Sequence, residues 1–239
     1  MSKLLSISFS LLIGVTLLAG CIAKPDVSAT YSGFLGDAED YAVLKPVKDE
    51  QGNVIAMRYL HPSFDLAAYQ HIMIQPVKFY LRTDLARMTT LTEEQKQEIA
   101  SVFEAKLMAA VNGQFTLVDK PGPGTLIIQP AISGVAIARP DMAGKDYLPI
   151  GFVVRSLGEM RQTADQVSVV FFEGKFFDGE TGLRVGALVE GHQGRTVARG
   201  EPLTIEDLRP ALGYWAGKLE NALHEASNGT LDSTKADSQ

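Results

Sequence analysis

The side chains of this 239-residue chain best suited to chemistry are four histidines, one cysteine and 28 acidic residues. His61, His71, His192 and His224 fall at no i, i+4 spacing, and no His-Glu-x-x-His metal motif occurs. His71 opens an apolar run, and His224 lies near the end of a helical pattern, where a cation suits the helix dipole. Each histidine therefore reads as structural or superficial. Ser133-Gly134 lacks the preceding glycine of a nucleophile elbow and follows Ala131-Ile132 in what looks like buried strand. Gly122-x-Gly124 precedes a strand rather than a helix and lacks Gly-Lys-Ser/Thr, so it reads as a turn and not a phosphate loop. Asp178 with Glu180, and Asp141 with Asp146, resemble paired carboxylates. An aspartate in a Gly-rich hairpin loop more often caps its own backbone, and the closing glutamate of a calcium loop is missing. No catalytic residue, metal ligand or cofactor is assigned. The one thiol, Cys21, has a context of its own: it directly follows Leu18-Ala19-Gly20 at the end of an apolar run that starts at Leu4 behind Lys3.

A basic start, an apolar stretch and small residues at a cleavage point describe a secretory signal, here residues 1–20 with the cut between Gly20 and Cys21. Leu18-Ala19-Gly20-Cys21 resembles the lipobox of bacterial lipoproteins. That resemblance implies a diacylglyceryl group on the Cys21 thiol and a further acyl chain on the new amino terminus. An uncleaved membrane anchor is the competing reading, but about 15 apolar residues fall short of the ~20 that a spanning helix needs.

Removal of residues 1–20 leaves 219 residues with 21 basic and 28 acidic side chains, a net charge of −7. Charged residues at 21% and hydrophobic residues at 46% are values of a folded chain. An acidic body lacks the basic footprint of a nucleic-acid binder and is poorly suited to lying on anionic lipid. The lipid bilayer is thus reached through the acyl chains of Cys21 alone. With that thiol acylated, no disulfide is available and the domain must be stable through its core.

The elements follow in order. Residues 22–40 read as a flexible tether with little apolar content besides Tyr31, Phe34 and Leu35. Ala42–Val47 and Val54–Leu60 flank Gln51-Gly52-Asn53 as a short hairpin, with Pro46 restricting the first strand to an edge. Residues 21–63 are assigned to this tether and hairpin. His71–Leu81 is a strand. Thr92 and Gln95 form a capping box ahead of Ile99, Phe103 and Leu107 on one helical stripe over Glu93–Val111, which Asn112-Gly113 stops. Phe115–Asp119 is a short strand, and Thr125–Arg139 a long one with an interruption or edge expected at Pro130 and Gly134. Gln166–Asp178 and Leu183–Glu190 form a hairpin across Gly179–Gly182, and apolar residues on both faces of its first strand make that strand central. Thr204 to Asp207 caps a second amphipathic helix carrying Leu208, Leu212, Trp215, Leu219 and Leu223, with Pro210 ending its first turn or kinking it. Residues 227–239 read as a disordered tail.

Three short stretches give the chain a likeness. Ser32-Gly33-Phe34-Leu35, Pro76-Val77-Lys78-Phe79 and Asp178-Gly179-Glu180-Thr181-Gly182, in that order, resemble a family of bacterial lipoproteins known only as a domain of unknown function (DUF 3313-like). The resemblance implies an exported, membrane-anchored α/β domain and brings no reaction with it.

The expected fold is α/β, an α+β two-layer domain over residues 64–226. A mixed sheet of about five strands carries both amphipathic helices on one face, preceded by the short hairpin and the tether. The expected function is a non-enzymatic binding or assembly accessory of the cell envelope, facing the periplasm. Ile22 in place of aspartate after the acylated cysteine resembles outer-membrane sorting. An envelope-associated hydrolase is the alternative. Another envelope protein is the expected partner, and its candidate docking surface is the apolar stretch from Arg139 to Asp165, with Phe152 and Val153 at its centre. A stretch of that length without regular structure is uncommon in a compact domain and often functional.

Overall fold

The computed structural model describes residues 31–81, 91–111, 113, 115–138, 165–198 and 200–228. Cys21, Gly20, Asp141, Asp146, Phe152, Val153 and the tail from Gly229 lie outside the described residues.

The described chain builds one eight-stranded, mostly antiparallel sheet with helices, so the α/β class is as expected and the sheet is larger than five strands. In chain order the elements are α1 (Ala38–Ala42), β1 (Lys45–Lys48), β2 (Val54–Leu60), β3 (His71–Ile74), β4 (Lys78–Phe79), α2 (Glu93–Ala110), β5 (Thr116–Leu117), β6 (Thr125–Ala138), β7 (Asp165–Asp178), β8 (Arg184–Ala198) and α3 (Ile205–Ser227). The strand order is β1-β2-β8-β7-β6-β3-β5, with β4 also on β6. The amino-terminal hairpin does not stand apart from the sheet: Ala56 to Leu60 of β2 pair with Glu190 to Gly186 of β8. Pro46 lies on β1, at the outer edge, where its missing N–H deprives no neighbour.

The long strand β6 runs through Pro130 without a break, and the interruption falls on its neighbour instead. Ile128 and Ile132 accept from the N–H groups of Gln75 and Tyr80. Between those two carbonyls, in the same phase, Pro130 has no N–H to offer, and there β3 stops at Ile74 and β4 resumes at Lys78. Gly134 marks a bulge: Ile132 opposes Phe172 and Gly134 opposes Phe171, leaving Ser133 as the extra residue.

β7 is central, as its two apolar faces required, and Val170 and Phe171 are both fully buried. Its first face, with Val170 and Phe172, receives both long helices. Ile99, Phe103 and Leu107 of α2 and Leu208, Leu212 and Trp215 of α3 join Ile132, Val135 and Val77 in one cluster. The capping box of α2 is formed, Thr92 Oγ1 accepting from Gln95 N–H at 3.2 Å and Gln95 Oε1 from Thr92 N–H at 2.9 Å. Just beyond the helix, Gly113 takes the left-handed φ of +93° that an ordinary residue resists. At α3, Asp207 Oδ2 accepts from the N–H and the hydroxyl of Thr204, and the helix continues through Pro210. The first turn of α3 crosses β8 at Gly194, where a Cβ would strike the Asp207 carbonyl, and Ser168 Oγ of β7 donates to that same oxygen at 2.7 Å.

The opposite face of the sheet carries the main departure from expectation. The part of the tether from Tyr31 onward is packed rather than free. Phe34, Leu35, Tyr41 and Leu44 are buried against Ala131, Ala187 and Val189. Its few apolar residues are the ones that pack, and they suffice because the sheet beneath them is built of small side chains.

Candidate functional site

Two buried glutamates that the sequence reading passed over are the chemically distinctive groups of the described chain. Glu173 opposes Val189 and Ala131 across the ladders, whereas Glu190 opposes Phe172. Successive residues of a strand face opposite ways, so Glu173 points under the amino-terminal segment and Glu190 toward the helices. The sheet separates the two carboxylates, and they cannot act together as an acid and base.

Glu173 is fully buried in β7. Its Oε2 accepts from the Tyr41 hydroxyl at 2.7 Å, and that hydroxyl oxygen in turn accepts from the N–H groups of Gly33 and Leu35, each at 3.1 Å. Burial raises the Glu173 carboxyl above the usual carboxylate range, while the hydroxyls of Tyr41, Ser32 and Ser133 pull the other way. Burial beside this carboxyl likewise holds the Tyr41 phenol far above its ordinary value, so it remains a donor. Two residues on, Lys175 Nζ donates to the Phe34 carbonyl at 3.0 Å and sits 4.4 Å from the centre of the Phe34 ring. Burial lowers the Lys175 ammonium from its ordinary value.

Glu190, near the middle of β8, is gripped from α3. Lys218 Nζ donates to both carboxylate oxygens at 2.9 and 3.2 Å, and the Tyr214 hydroxyl to Oε1 at 3.0 Å. The His192 ring stacks on Tyr214 with centroids 3.6 Å apart. Burial first, and then the Lys218 charge, push the His192 imidazole below its ordinary value, against the opposing pull of Glu190. The arrangement is a satisfied ionic clasp between β8 and α3. Lys218→Met, which leaves a carboxylate buried with one hydroxyl donor, should cost about 1–3 kcal/mol, and Glu190→Gln in the same chain should recover part of it. Thermal or denaturant unfolding of the single and double variants checks this coupling.

The groups weighed from sequence are dispersed. His61 Nδ1 meets Ser63 Oγ at 2.7 Å in a loop, His71 is at the start of β3, and His224 contacts Asn228 at the end of α3. Ser133 is completely buried at the β6 bulge. Gly122 closes a turn by accepting from Thr125 N–H, and a strand follows. Asp178 caps its own loop, its Oδ1 accepting from Glu180 N–H, Thr181 N–H and the Thr181 hydroxyl, which holds its carboxyl below the usual range. Its Oδ2 accepts from Tyr69 at 3.3 Å, and the Tyr69 phenol is pushed up to about 12 by burial and by that carboxylate. Among the described residues, no group of three or more His, Cys, Asp or Glu is placed to hold a metal ion. No helix among them is long and apolar enough to cross a membrane.

The three motif stretches also have physical work in the fold. Ser32 Oγ accepts from Phe34 N–H at 2.9 Å and shapes the segment over Glu173. Val77 N–H donates to Glu104 Oε2 of α2 at 3.3 Å across the β3–β4 break, with Val77 and Phe79 in the helix-side core. Asp178 organises the β7–β8 loop. All three lie within residues 30–219, which match the family model described as protein of unknown function (DUF3313). The chain belongs to the DUF3313 family. A relative from Escherichia coli strain K12, described as the uncharacterized lipoprotein YdcL, is 25% identical over 202 residues, covering 84% of this chain and 88% of that protein. Among solved structures, the PelC dodecamer from Paraburkholderia phytofirmans matches at TM-score 0.32 and 11% identity, over 72% of this chain and 95% of that one. Lipoprotein GNA1162 from Neisseria meningitidis matches at TM-score 0.30 and 9% identity, over 65% and 98%. TM-scores this low fix neither function nor assembly. Within the DUF3313 range, the first motif meets the sheet through the Tyr41–Glu173 bond, the Lys175–Phe34 bond and the buried Phe34 and Leu35.

Proposed function

We propose that the protein is an exported lipoprotein, anchored by acylated Cys21 and facing the periplasm from the inner leaflet of the outer membrane, where it binds another envelope component rather than turning over a substrate. The observation that carries this reading is Leu18-Ala19-Gly20-Cys21, with its single thiol, ahead of a folded domain. The lipoprotein description of the relative from Escherichia coli supports it, and Ile22 in place of aspartate supports the outer-membrane address. The distance from Cys21 to Tyr31 is ten residue steps, at most about 35 Å of chain. The part of the domain that begins at Tyr31 is therefore held near the bilayer surface.

The partner surface is proposed on the apolar stretch around Phe152 and Val153. Phe152→Asp and Val153→Asp should leave the melting temperature unchanged and remove an envelope protein that co-purifies with the detergent-solubilised wild type. Unfolding of the domain by these substitutions would assign the stretch to the core and move the search for the surface elsewhere. Hydrolysis of envelope material by the purified protein would favour the hydrolase instead.

A further inference from the structure

We infer that Tyr31–Leu44 is a releasable strap, docked on the sheet face opposite α2 and α3, and that the buried carboxyl of Glu173 governs its release. Three polar clamps hold it: the Tyr41 hydroxyl on Glu173, the Phe34 carbonyl on Lys175 Nζ, and Asp40 Oδ1 on Arg184 Nη1 at 2.6 Å. Phe34, Leu35, Tyr41 and Leu44 supply the apolar contact. The backbone bonds of the strap close within it, Gly36 N–H to the Gly33 carbonyl and Leu44 N–H to the Tyr41 carbonyl. Asp37 caps α1 from inside the same segment, accepting from Glu39 N–H and Asp40 N–H. It can lift as a unit with the ladders of the sheet intact. Segments of this kind open at less than the global cost of unfolding.

The carboxyl is what makes docking conditional. Glu173 Oε2 is filled by the Tyr41 hydroxyl, the hydroxyls of Ser32 and Ser133 also act on the carboxyl, and none of these three is a cation. Burying an ionised carboxylate with only neutral hydroxyls as donors is costly, whereas the protonated acid loses far less on leaving water. Release of the strap lets water reach the group. The groups that act on the carboxyl from around it are Tyr31, Ser32 and Tyr41 of the strap, Ser133 of β6 and Lys175 of β7, and Lys175 is itself under the charges of Asp40, Arg184 and Lys78. Burial outweighs them and raises the docked carboxyl. The docked state thus binds the proton more tightly than the released one. Docking is strongest below the ordinary carboxylate range and weakens as pH climbs through that range to the raised value. His192 faces the helices, and its depressed imidazole gives the core the opposite trend, with stability lost as pH falls below the ordinary imidazole range.

The consequence for reach rests on the lipoprotein reading. Release makes Lys45 of β1 the first residue held by the sheet, 24 residue steps from Cys21 against the ten that separate Cys21 from Tyr31, so the domain can stand farther from its anchor.

Hydrogen exchange by mass spectrometry on the detergent-solubilised full chain at pH 5 and pH 8, corrected for the intrinsic rate, tests the strap directly. Protection of peptides within 31–44 should be lower at pH 8, by at most about tenfold for each unit separating the docked and released pKa values, while α2 does not follow. Glu173→Gln should abolish the difference and raise strap protection at pH 8, because the carboxamide carries no charge and can donate to Ser133. Tyr41→Phe should lower strap protection at both pH values. Strap peptides that exchange only with the core, or a pH difference that persists in Glu173→Gln, would overturn the inference. The mass of the same preparation reports acylation separately, so a missing acyl group would end the lipoprotein reading and leave the strap result standing.

Discussion

Phe103→Ala is expected to lower the unfolding free energy by about 3–5 kcal/mol, among the largest costs of any single truncation in the domain. Phe103 is completely buried on the inner stripe of α2. Its ring meets Phe172 of β7 edge-on at 5.7 Å and Trp215 of α3 at 5.9 Å, and those two rings stack on each other at 5.2 Å. One side chain therefore joins both helices to the central strand, and the void left by truncation is walled by rigid rings that collapse poorly. Leu107→Ala, one turn on and also buried, should cost about 2–5 kcal/mol. Glu94→Ala, on the exposed side of the first turn, should leave the denaturation midpoint close to that of the wild type. Chemical denaturation of the three variants checks the assignment, and equal midpoints would mean that the inner face of α2 has been misplaced.

Cys21→Ala should abolish acylation and leave an uncleaved precursor that retains residues 1–20. Each methylene of an acyl chain buried in the bilayer contributes about 0.8 kcal/mol, one chain gives only marginal attachment, and stable anchoring takes two or more. The acidic body of the protein offers no electrostatic substitute. Intact-mass measurement of the envelope-extracted protein distinguishes the outcomes: the wild type should begin at Cys21 and carry the mass of its acyl chains. A wild-type amino terminus without that added mass would remove the foundation of the proposed function.

The elements with strong local signals were legible in the sequence. Thr92 and Gln95 announced α2, Gly113 its end, and the Gly-rich loop at 179–182 the central hairpin, because each depends on contacts within a few residues. Residues up to Asp40 read as a tether because their apolar content is thin, and Ala42–Leu44 read as the start of a strand that begins only at Lys45. What fixes the strap lies far away in sequence: Glu173, Lys175 and Arg184, together with the small residues Ala131 and Ala187. Pro130 by itself signals an interruption or an edge in its own strand, whereas the sheet moves the break to the neighbour that would have needed its N–H. The buried glutamates did leave a signal. Gln166–Asp178 is apolar on both faces, so a glutamate inside it has no solvent side to turn to. Glu190 gave a weaker one, since its clasp with Lys218 and Tyr214 depends on how α3 crosses β8.

The pairing of β2 with β8 bears on the order in which the fold can be completed. Ala56 pairs with Glu190, so a strand near the start of the folded domain waits for one about 130 residues later. Contacts at that separation close late and slowly. In a chain that emerges amino terminus first, the β1–β2 hairpin forms early and then stands as an unfinished edge while most of the domain follows. Lys45, Pro46 and Lys48 make its outer strand a poor template for another chain. The inner strand, β2, has no such guard until β8 arrives. Any chaperone that assists this protein would find its longest-lived target there.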